Sequence, residues 1–237
     1  SHIVLKSTMA ASGFSMFAFL VAHLSGNLLV FSGRAAMNDY AAFLHSKPPL
    51  LWGARIGLLV AVMAHFGSWL ILARSSQSAR RISYMTRRYQ KSSLASRTML
   101  ISGLWLLIFL VLHLMHFTTG TIHPHYQAGK PFENLLDSFQ SPTVVAGYVI
   151  TMGLISAHLF HGLWSSFQSL GWNDSRRNRL LRISASVLSV GLGILFSTVP
   201  VAIFTGFLAP VNDFKTPGRA EPAAQPHTEF TITKVVS

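Results

Sequence analysis

The sequence predicts an all-α integral membrane protein, a bundle of five transmembrane helices. Half of the 237 residues are hydrophobic, only 11% are charged, and the mean hydropathy is +0.43, a composition typical of a chain whose solvent is lipid. A bilayer core about 30 Å thick is crossed by about 20 apolar helical residues, and five segments meet that length. They are 9–32, 50–73, 98–118, 143–170 and 183–208. We therefore expect residues 1–237 to form a single multi-pass membrane domain.

The charges between these segments predict the orientation of the chain. The linkers 74–97 and 171–182 carry eleven basic residues against one acid, Asp174. Because positive charge is retained on the cytoplasmic side, both linkers are expected there, with Lys6 and the N-terminus. Five spans then place the tail 209–237 outside the cell membrane. No cleavable signal peptide is expected, because the first apolar run is long and a second span follows it.

The basic linkers also bear on partners. They adjoin the membrane and no soluble domain organises them, so we expect contact with anionic lipid or a cytoplasmic protein, and not with nucleic acid. The connections on the other side, 33–49 and 119–142, are expected to be loops. The chain has no cysteine, which excludes disulfides and iron–sulfur ligation by its own residues.

Histidine is the residue that calls for a functional explanation, since ionisable side chains in hydrocarbon are costly and usually functional. Four of the five spans contain it. The segment SGFSMFAFLVAHL, residues 12–24, returns as SGLWLLIFLVLHL, residues 102–114, with seven of thirteen positions identical. The histidines within the spans are His23, His65, His113, His116, His158 and His161.

Helix geometry places these histidines at two depths. At 1.5 Å per residue, His23 and His113 lie roughly 21–23 Å from the cytoplasmic face, while His65 lies about 12 Å and His158 about 15–18 Å from it. A zinc site would gather its ligands at one point. Two stacked pairs from different helices are what two bis-histidine b-type haems require. Small residues beside the histidines leave room for a flat macrocycle: Ala22, Ser25, Gly26, Ala64, Gly67, Ala157 and Gly162.

Three motifs resemble one family, the five-helix dihaem cytochrome b membrane-anchor subunit (b558-type) of succinate dehydrogenase and fumarate reductase. They are the SG-x9-H repeat, AHFGSWLI at 64–71 and HLFHGLWSSFQSLGW at 158–172, and the likeness extends over all five spans. The resemblance implies iron ligation by His23 with His113, the outer pair, and by His65 with His158, the inner pair. His116 and His161 remain rival ligands; their other possible roles are contact with a haem propionate, with a quinone or with a neighbouring helix.

The resemblance also implies a role in respiratory complex II of a bacterial cytoplasmic membrane. A flavoprotein and an iron–sulfur subunit would oxidise succinate, and electrons would pass through the two haems to a quinone, menaquinone in most dihaem relatives, or in reverse toward fumarate. Some relatives carry a glutamate two residues before the inner ligand of span four, where this chain has Ser156. The candidate quinone contacts are chosen by their predicted depth in the membrane, which is near that of the outer haem. They are Asn27, Asp39, His116, His123 and His125.

Two other classes of protein share parts of this pattern. A dihaem b-type anchor of a nitrate reductase or hydrogenase would have the composition and the paired histidines. A haem-free transporter or structural anchor would have the spans alone.

Overall fold

The computed structural model describes residues 2–78, 94–172, 174 and 176–208. Of these residues, 84% are helical and none is in a strand. Five of the described helices are long and apolar enough to cross a membrane. The predicted all-α fold with five spans is therefore confirmed, and the chain is a multi-pass membrane protein.

Seven α-helices follow one another along the described chain. They are α1 (His2–Leu28), α2 (Arg34–His45), α3 (Pro48–Ser78), α4 (Leu94–Phe117), α5 (Pro131–Ser138), α6 (Pro142–Ser169) and α7 (Asn178–Phe204). A 3₁₀ turn, Leu29–Ser32, extends α1. The spanning helices are α1, α3, α4, α6 and α7.

Four of the five spanning helices are longer than the apolar runs that predict them, and α6 has the predicted length. Helix α1 begins at His2 instead of residue 9, and α7 begins at Asn178 within the predicted linker 171–182. Helices α3 and α4 both continue into the predicted linker 74–97, whose central part, 79–93, lies outside the described residues, as does the tail 209–237. Polar helical turns continue a span without adding to its hydropathy, so the apolar run underestimates helix length.

The main correction to the predicted fold concerns segments 33–49 and 119–142, which were expected to be loops. They contain α2 and α5, which we call the cap. Each cap helix buries an apolar face, with Met37 on α2 and Leu135 on α5. Arg34 pairs with Glu133 at 2.9 Å, and the Asn38 amide donates to the same carboxylate at 2.9 Å. Helices of 12 and 8 residues are too short to register as spans, which is why the hydropathy pattern missed them.

The cap covers the largest buried cluster among the described residues. Its members come from the cap and from the adjoining ends of the spanning helices: Val30, Met37, Phe132, Leu135, Leu136, Phe139, Val145, Val199 and Ile203. Along the middle of the bundle the outward residues are apolar and open, with Ile101 69% and Val187 65% exposed. Such a surface is suited to lipid and not to water.

Helix packing determines which histidines can meet. Helices α1 and α6 contact each other, α3 packs on α1, and α4 packs on α6. Helix α7, which has no histidine, packs against α6 and α1. The four histidine-bearing helices are therefore two side-by-side pairs, α1 with α3 and α6 with α4.

The motif at 158–172 forms the second half of α6 and its C-terminal cap. Gly171 has φ 73°, its N–H donates to Gln168 O, and the Trp172 N–H donates to Phe167 O at 3.0 Å. This is a Schellman arrangement, in which glycine takes the left-handed conformation and an apolar contact closes the end. The contact is between Phe167 and Trp172, whose ring centroids are 6.0 Å apart. Part of this motif therefore serves to end the helix.

Candidate functional site

The structure brings four histidines together as two ring pairs at different levels of the bundle. In the inner pair, the centroids of His65 (α3) and His158 (α6) are 6.4 Å apart with planes at 58°. In the outer pair, the centroids of His23 (α1) and His113 (α4) are 5.9 Å apart with planes at 88°. These are the pairs that the depth arithmetic predicts. Their binding of iron stays a prediction.

The spacing of both pairs suits one metal ion held between two imidazoles. A ring nitrogen lies about 2 Å from a metal that it binds and about 1 Å from its own centroid, so two rings on opposite sides of an ion have centroids about 6 Å apart. The described residues contain no group of three or more His, Cys, Asp or Glu that could hold a metal ion. A metal at either pair therefore needs its remaining ligands from a bound group, as in a porphyrin.

Residues of neighbouring helices contact the Nδ1 atoms of both inner histidines. His65 Nδ1 lies 3.0 Å from Met9 O and 3.3 Å from Ser12 Oγ, both on α1. His158 Nδ1 lies 3.2 Å from Ser102 Oγ on α4. Within the described part of the chain, no hydrogen bond engages Nε2 of either ring. Each inner histidine thus keeps one nitrogen for a ligand role.

The glycines beside these serines face the same two rings. A Cβ on Gly13 would lie 3.4 Å from His65 Cε1, and a Cβ on Gly103 would lie 3.4 Å from His158 Cε1. The Ser-Gly dipeptide that opens each copy of the repeat therefore contacts an inner histidine, while the histidine that closes the copy belongs to the outer pair. From the sequence, Ser-Gly was used only to align the two copies of the repeat, so its contact with the inner histidines was not predicted. The presence of Ser-Gly in both copies was the one sign in the sequence that it has a role.

The outer pair has a different surrounding. His113 Nδ1 lies 3.3 Å from the Tyr148 hydroxyl on α6. The His23 ring stacks on Phe19, with centroids 5.3 Å apart, and contacts Phe196 of α7. No hydrogen bond to the His23 ring occurs among the described residues. Tyr148, a polar side chain within a span, is a second contact that was missed from sequence.

The two rival histidines differ from each other. His116 Nδ1 lies 3.1 Å from the Tyr148 hydroxyl, and His116 Nε2 lies 3.1 Å from Ser138 Oγ. Both nitrogens of His116 are engaged, so it supports Tyr148 and is poorly placed as an iron ligand. His161 has no hydrogen bond or ring contact among the residues that the structure describes, and it forms neither pair.

Of the five predicted quinone contacts, the structure places one at a suitable cavity. Asn27 donates to His23 O on its own helix, and Asp39 is exposed on α2. His123 is buried, with Nε2 3.2 Å from Asn134 O, and His125 lies 3.2 Å from Asp137. The last two histidines therefore hold the connection 118–130 against α5. Only His116 of the five lines the groove described next.

That groove has a volume of about 360 Å³ and runs between α4 and α6 beside the outer pair. Its walls are mainly apolar and aromatic, including Trp105 and Phe109, and its polar groups include His116 and Tyr148. Ile108, at its edge, is 54% exposed on the lipid-facing surface. An apolar slot with a few convergent polar groups is the usual form of a small-molecule site.

The small residues expected beside the haems have different surroundings in the structure. Gly67 and Gly162 have open space around them, with no atom within 4 Å of an added Cβ. Gly26 instead faces Tyr40, because a Cβ there would lie 2.9 Å from Tyr40 Cε1. In the structure Gly26 thus makes room for a cap side chain, while a role of these small residues beside a haem stays a prediction.

Ser156, where some members of the resembling family have glutamate, is part of a helix contact. Its hydroxyl donates to Met152 O at 3.0 Å, and its side chain lies directly against Gly193 of α7. This serine therefore packs in the contact between α6 and α7. The spanning helices contain no Asp or Glu, so the bundle lacks a carboxylate for proton transfer.

At the other end of the bundle a cavity of about 540 Å³ lies between α6 and the first turns of α7, lined by Phe160, Asn178, Arg179 and Arg182 among others. It gives the arginine-rich end a basic recess.

No protein-family model, curated protein or solved structure matches this chain.

Proposed function

We propose that this chain is the dihaem cytochrome b membrane subunit of a succinate:quinone oxidoreductase. The observation that carries the proposal is the arrangement of four histidines in two stacked pairs, with ring centroids 5.9 and 6.4 Å apart, each pair drawn from two spanning helices. The motifs at 12–24, 102–114 and 158–172 favour this family over other dihaem anchors.

In this proposal His23 and His113 hold one haem b, and His65 and His158 hold the other. A haem held there by two histidines would supply one-electron transfer. The chain's own part would be to bind each iron through histidine nitrogens and to orient the rings, by Nδ1 partners at His65, His158 and His113 and by aromatic contacts at His23.

The groove between α4 and α6 is the proposed quinone site, with menaquinone as the expected substrate. His116 and Tyr148 are polar groups of its lining, and a quinone carbonyl would take the place of a hydrogen bond that one of them now makes, while Trp105 and Phe109 offer aromatic walls to the ring. His116→Gln should raise the KM for a menaquinone analogue several-fold with both haems retained. His125→Gln, outside the groove, is the matched control and should leave the KM unchanged. Equal KM values in the two variants would exclude the groove.

The arginine-rich end is the proposed docking face for the flavoprotein and iron–sulfur subunits. Arg179 and Arg182 lie in the first turns of α7 beside the basic recess. Charge complementarity at such a face steers association and fixes orientation more than it adds affinity. Anionic lipid headgroups are the expected neighbours around its edge.

Purification of the chain from native membranes, followed by addition of succinate, tests this function. We expect a subunit with covalently bound flavin and an iron–sulfur subunit to co-purify, and succinate to reduce the b-type absorption. Co-purification with a molybdenum or nickel–iron enzyme and no response to succinate would assign the chain to a nitrate reductase or hydrogenase. Purified chain without haem would leave a transporter or structural anchor as the function.

A further inference from the structure

The inner pair is supported by a duplicated device. Ser12 and Ser102 are both buried, at 7% and 2% exposure, and each hydroxyl oxygen lies 3.2–3.3 Å from Nδ1 of a histidine on the adjacent helix. Each is followed by a glycine that faces the same ring, with 3.4 Å between the ring's Cε1 and the position of a Cβ on that glycine. Two copies of one contact, on helices that repeat the same motif, point to a shared role.

The direction of these hydrogen bonds follows from the other partners of the serines. Ser12 Oγ donates to Thr8 O at 2.7 Å, and Ser102 Oγ donates to Met99 O at 3.2 Å. His65 Nδ1 also lies 3.0 Å from Met9 O, a carbonyl that can only accept, so Nδ1 carries the proton and Ser12 Oγ is an acceptor for it. Ser102 Oγ lies 3.2 Å from both Met99 O and His158 Nδ1, and binding of a metal through His158 Nε2 would select the arrangement in which Ser102 donates to Met99 O and accepts from Nδ1. Each inner histidine then carries its proton on Nδ1 and presents a bare Nε2, the tautomer that binds a metal.

We propose that Ser12 and Ser102 are positioning residues that hold His65 and His158 in the iron-binding tautomer and raise the basicity of both ligands. This inference rests on the proposed function, since it requires a haem at the inner pair. An acceptor on Nδ1–H makes the imidazole a stronger donor to iron. A stronger donor stabilises ferric over ferrous iron and so lowers the midpoint potential of the inner haem.

The two inner histidines differ in whether Nδ1 has a second hydrogen-bond acceptor besides the serine. His65 Nδ1 has a second acceptor, Met9 O at 3.0 Å. For His158 Nδ1, Ser102 Oγ is the one acceptor found among the described residues. Ser102→Ala therefore removes the support of its histidine, whereas Ser12→Ala leaves His65 a backbone partner. The larger effect belongs to Ser102.

The test is a redox titration of both haems in the intact complex, with the inner haem identified as the one lost from His65→Ala. Ser102→Ala should raise the inner-haem potential, Ser12→Ala should raise it less, and the outer-haem potential should stay unchanged in both. The affinity of the inner site for haem in Ser102→Ala should fall at least about tenfold, the usual cost of losing such an outer partner. Ser102→Thr, which keeps the hydroxyl, should restore the wild-type potential.

Two control variants separate positioning from packing. Ser15→Ala removes an exposed hydroxyl on the same helix as Ser12, and Ser189→Ala removes a fully buried hydroxyl on α7 that bonds only within its helix. Neither should move either potential. An unchanged inner-haem potential in Ser102→Ala, or equal shifts at both haems, would overturn the inference while two haems in the wild type still supported the proposed function. A wild-type protein without haem would instead overturn the proposed function, and this inference with it.

Discussion

The inner and outer histidine pairs have similar spacing but are supported in different ways. Both inner rings are held through Nδ1 by residues of the helix beside them, including one serine each. In the outer pair His113 meets a tyrosine hydroxyl shared with His116, while His23 packs on aromatic rings. The glycine and the histidine of each repeat are ten positions apart, a rise of about 15 Å. One repeated segment thus supports the inner pair at its start and supplies the outer pair at its end.

The largest expected effect comes from removing a ligand. His65→Ala or His158→Ala should abolish the inner haem and keep the outer one, and His23→Ala or His113→Ala should do the reverse, because in the proposed function each ring supplies one bond to the iron. Reduced-minus-oxidised spectra with haem quantitation measure this. His45→Ala, at an exposed position on α2, is the control and should keep both haems. Loss of the same haem from His65→Ala and His113→Ala would disprove the pairing.

A smaller effect is expected from Tyr148→Phe. It removes the hydroxyl beside His113 Nδ1, so the outer-haem potential should rise while the inner-haem potential stays unchanged. This mirrors the Ser102→Ala result at the other level, and the same redox titration checks it. Tyr126→Phe, which removes a hydroxyl bonded to Thr118 O, is the matched control. A shift of the inner haem instead would contradict the separation of the two pairs.

The separation of the two levels also predicts a response to the membrane potential. If succinate is oxidised at the arginine-rich end and quinone is reduced beside the outer pair, electrons move outward with the electrical force of a negative interior. Full crossing of one charge is worth about 2.3 kcal/mol per 100 mV. Succinate:menaquinone turnover in energised vesicles should therefore slow when an uncoupler is added. An unchanged or faster rate would place quinone reduction at the inner level or require compensating proton movement.

The smallest effects are expected at two glycines. Gly13→Ala gains helix propensity, about 1 kcal/mol, and its Cβ makes an ordinary contact with His65 at 3.4 Å. Gly26→Ala gains the same propensity but pushes on the Tyr40 ring at 2.9 Å. Thermal unfolding of the complex should show Gly13→Ala at or slightly above the wild-type midpoint and Gly26→Ala below it. The reverse order would show that Gly13 is the tighter position.

The sequence predicted what depends on one helix at a time. Five apolar lengths predict five spans, and a fixed rise per residue predicts that His23 meets the level of His113 and His65 that of His158. It failed where the result depends on how helices are rotated against each other. The bond from Ser102 to His158 and the contact of Gly26 with Tyr40 need both partners in place. The cap was missed because α2 and α5 bury short apolar faces within otherwise polar segments.

The central claim is that two b haems are bound within this chain, and counting them tests it most directly. Pyridine haemochrome quantitation against protein concentration, on the intact complex purified with its membrane subunit, should give two haems b per chain, both six-coordinate and low-spin. A value of one would show that only one histidine pair binds iron. No haem, or a high-spin ferric spectrum, would contradict ligation by histidine from both sides and with it the proposed route for electrons.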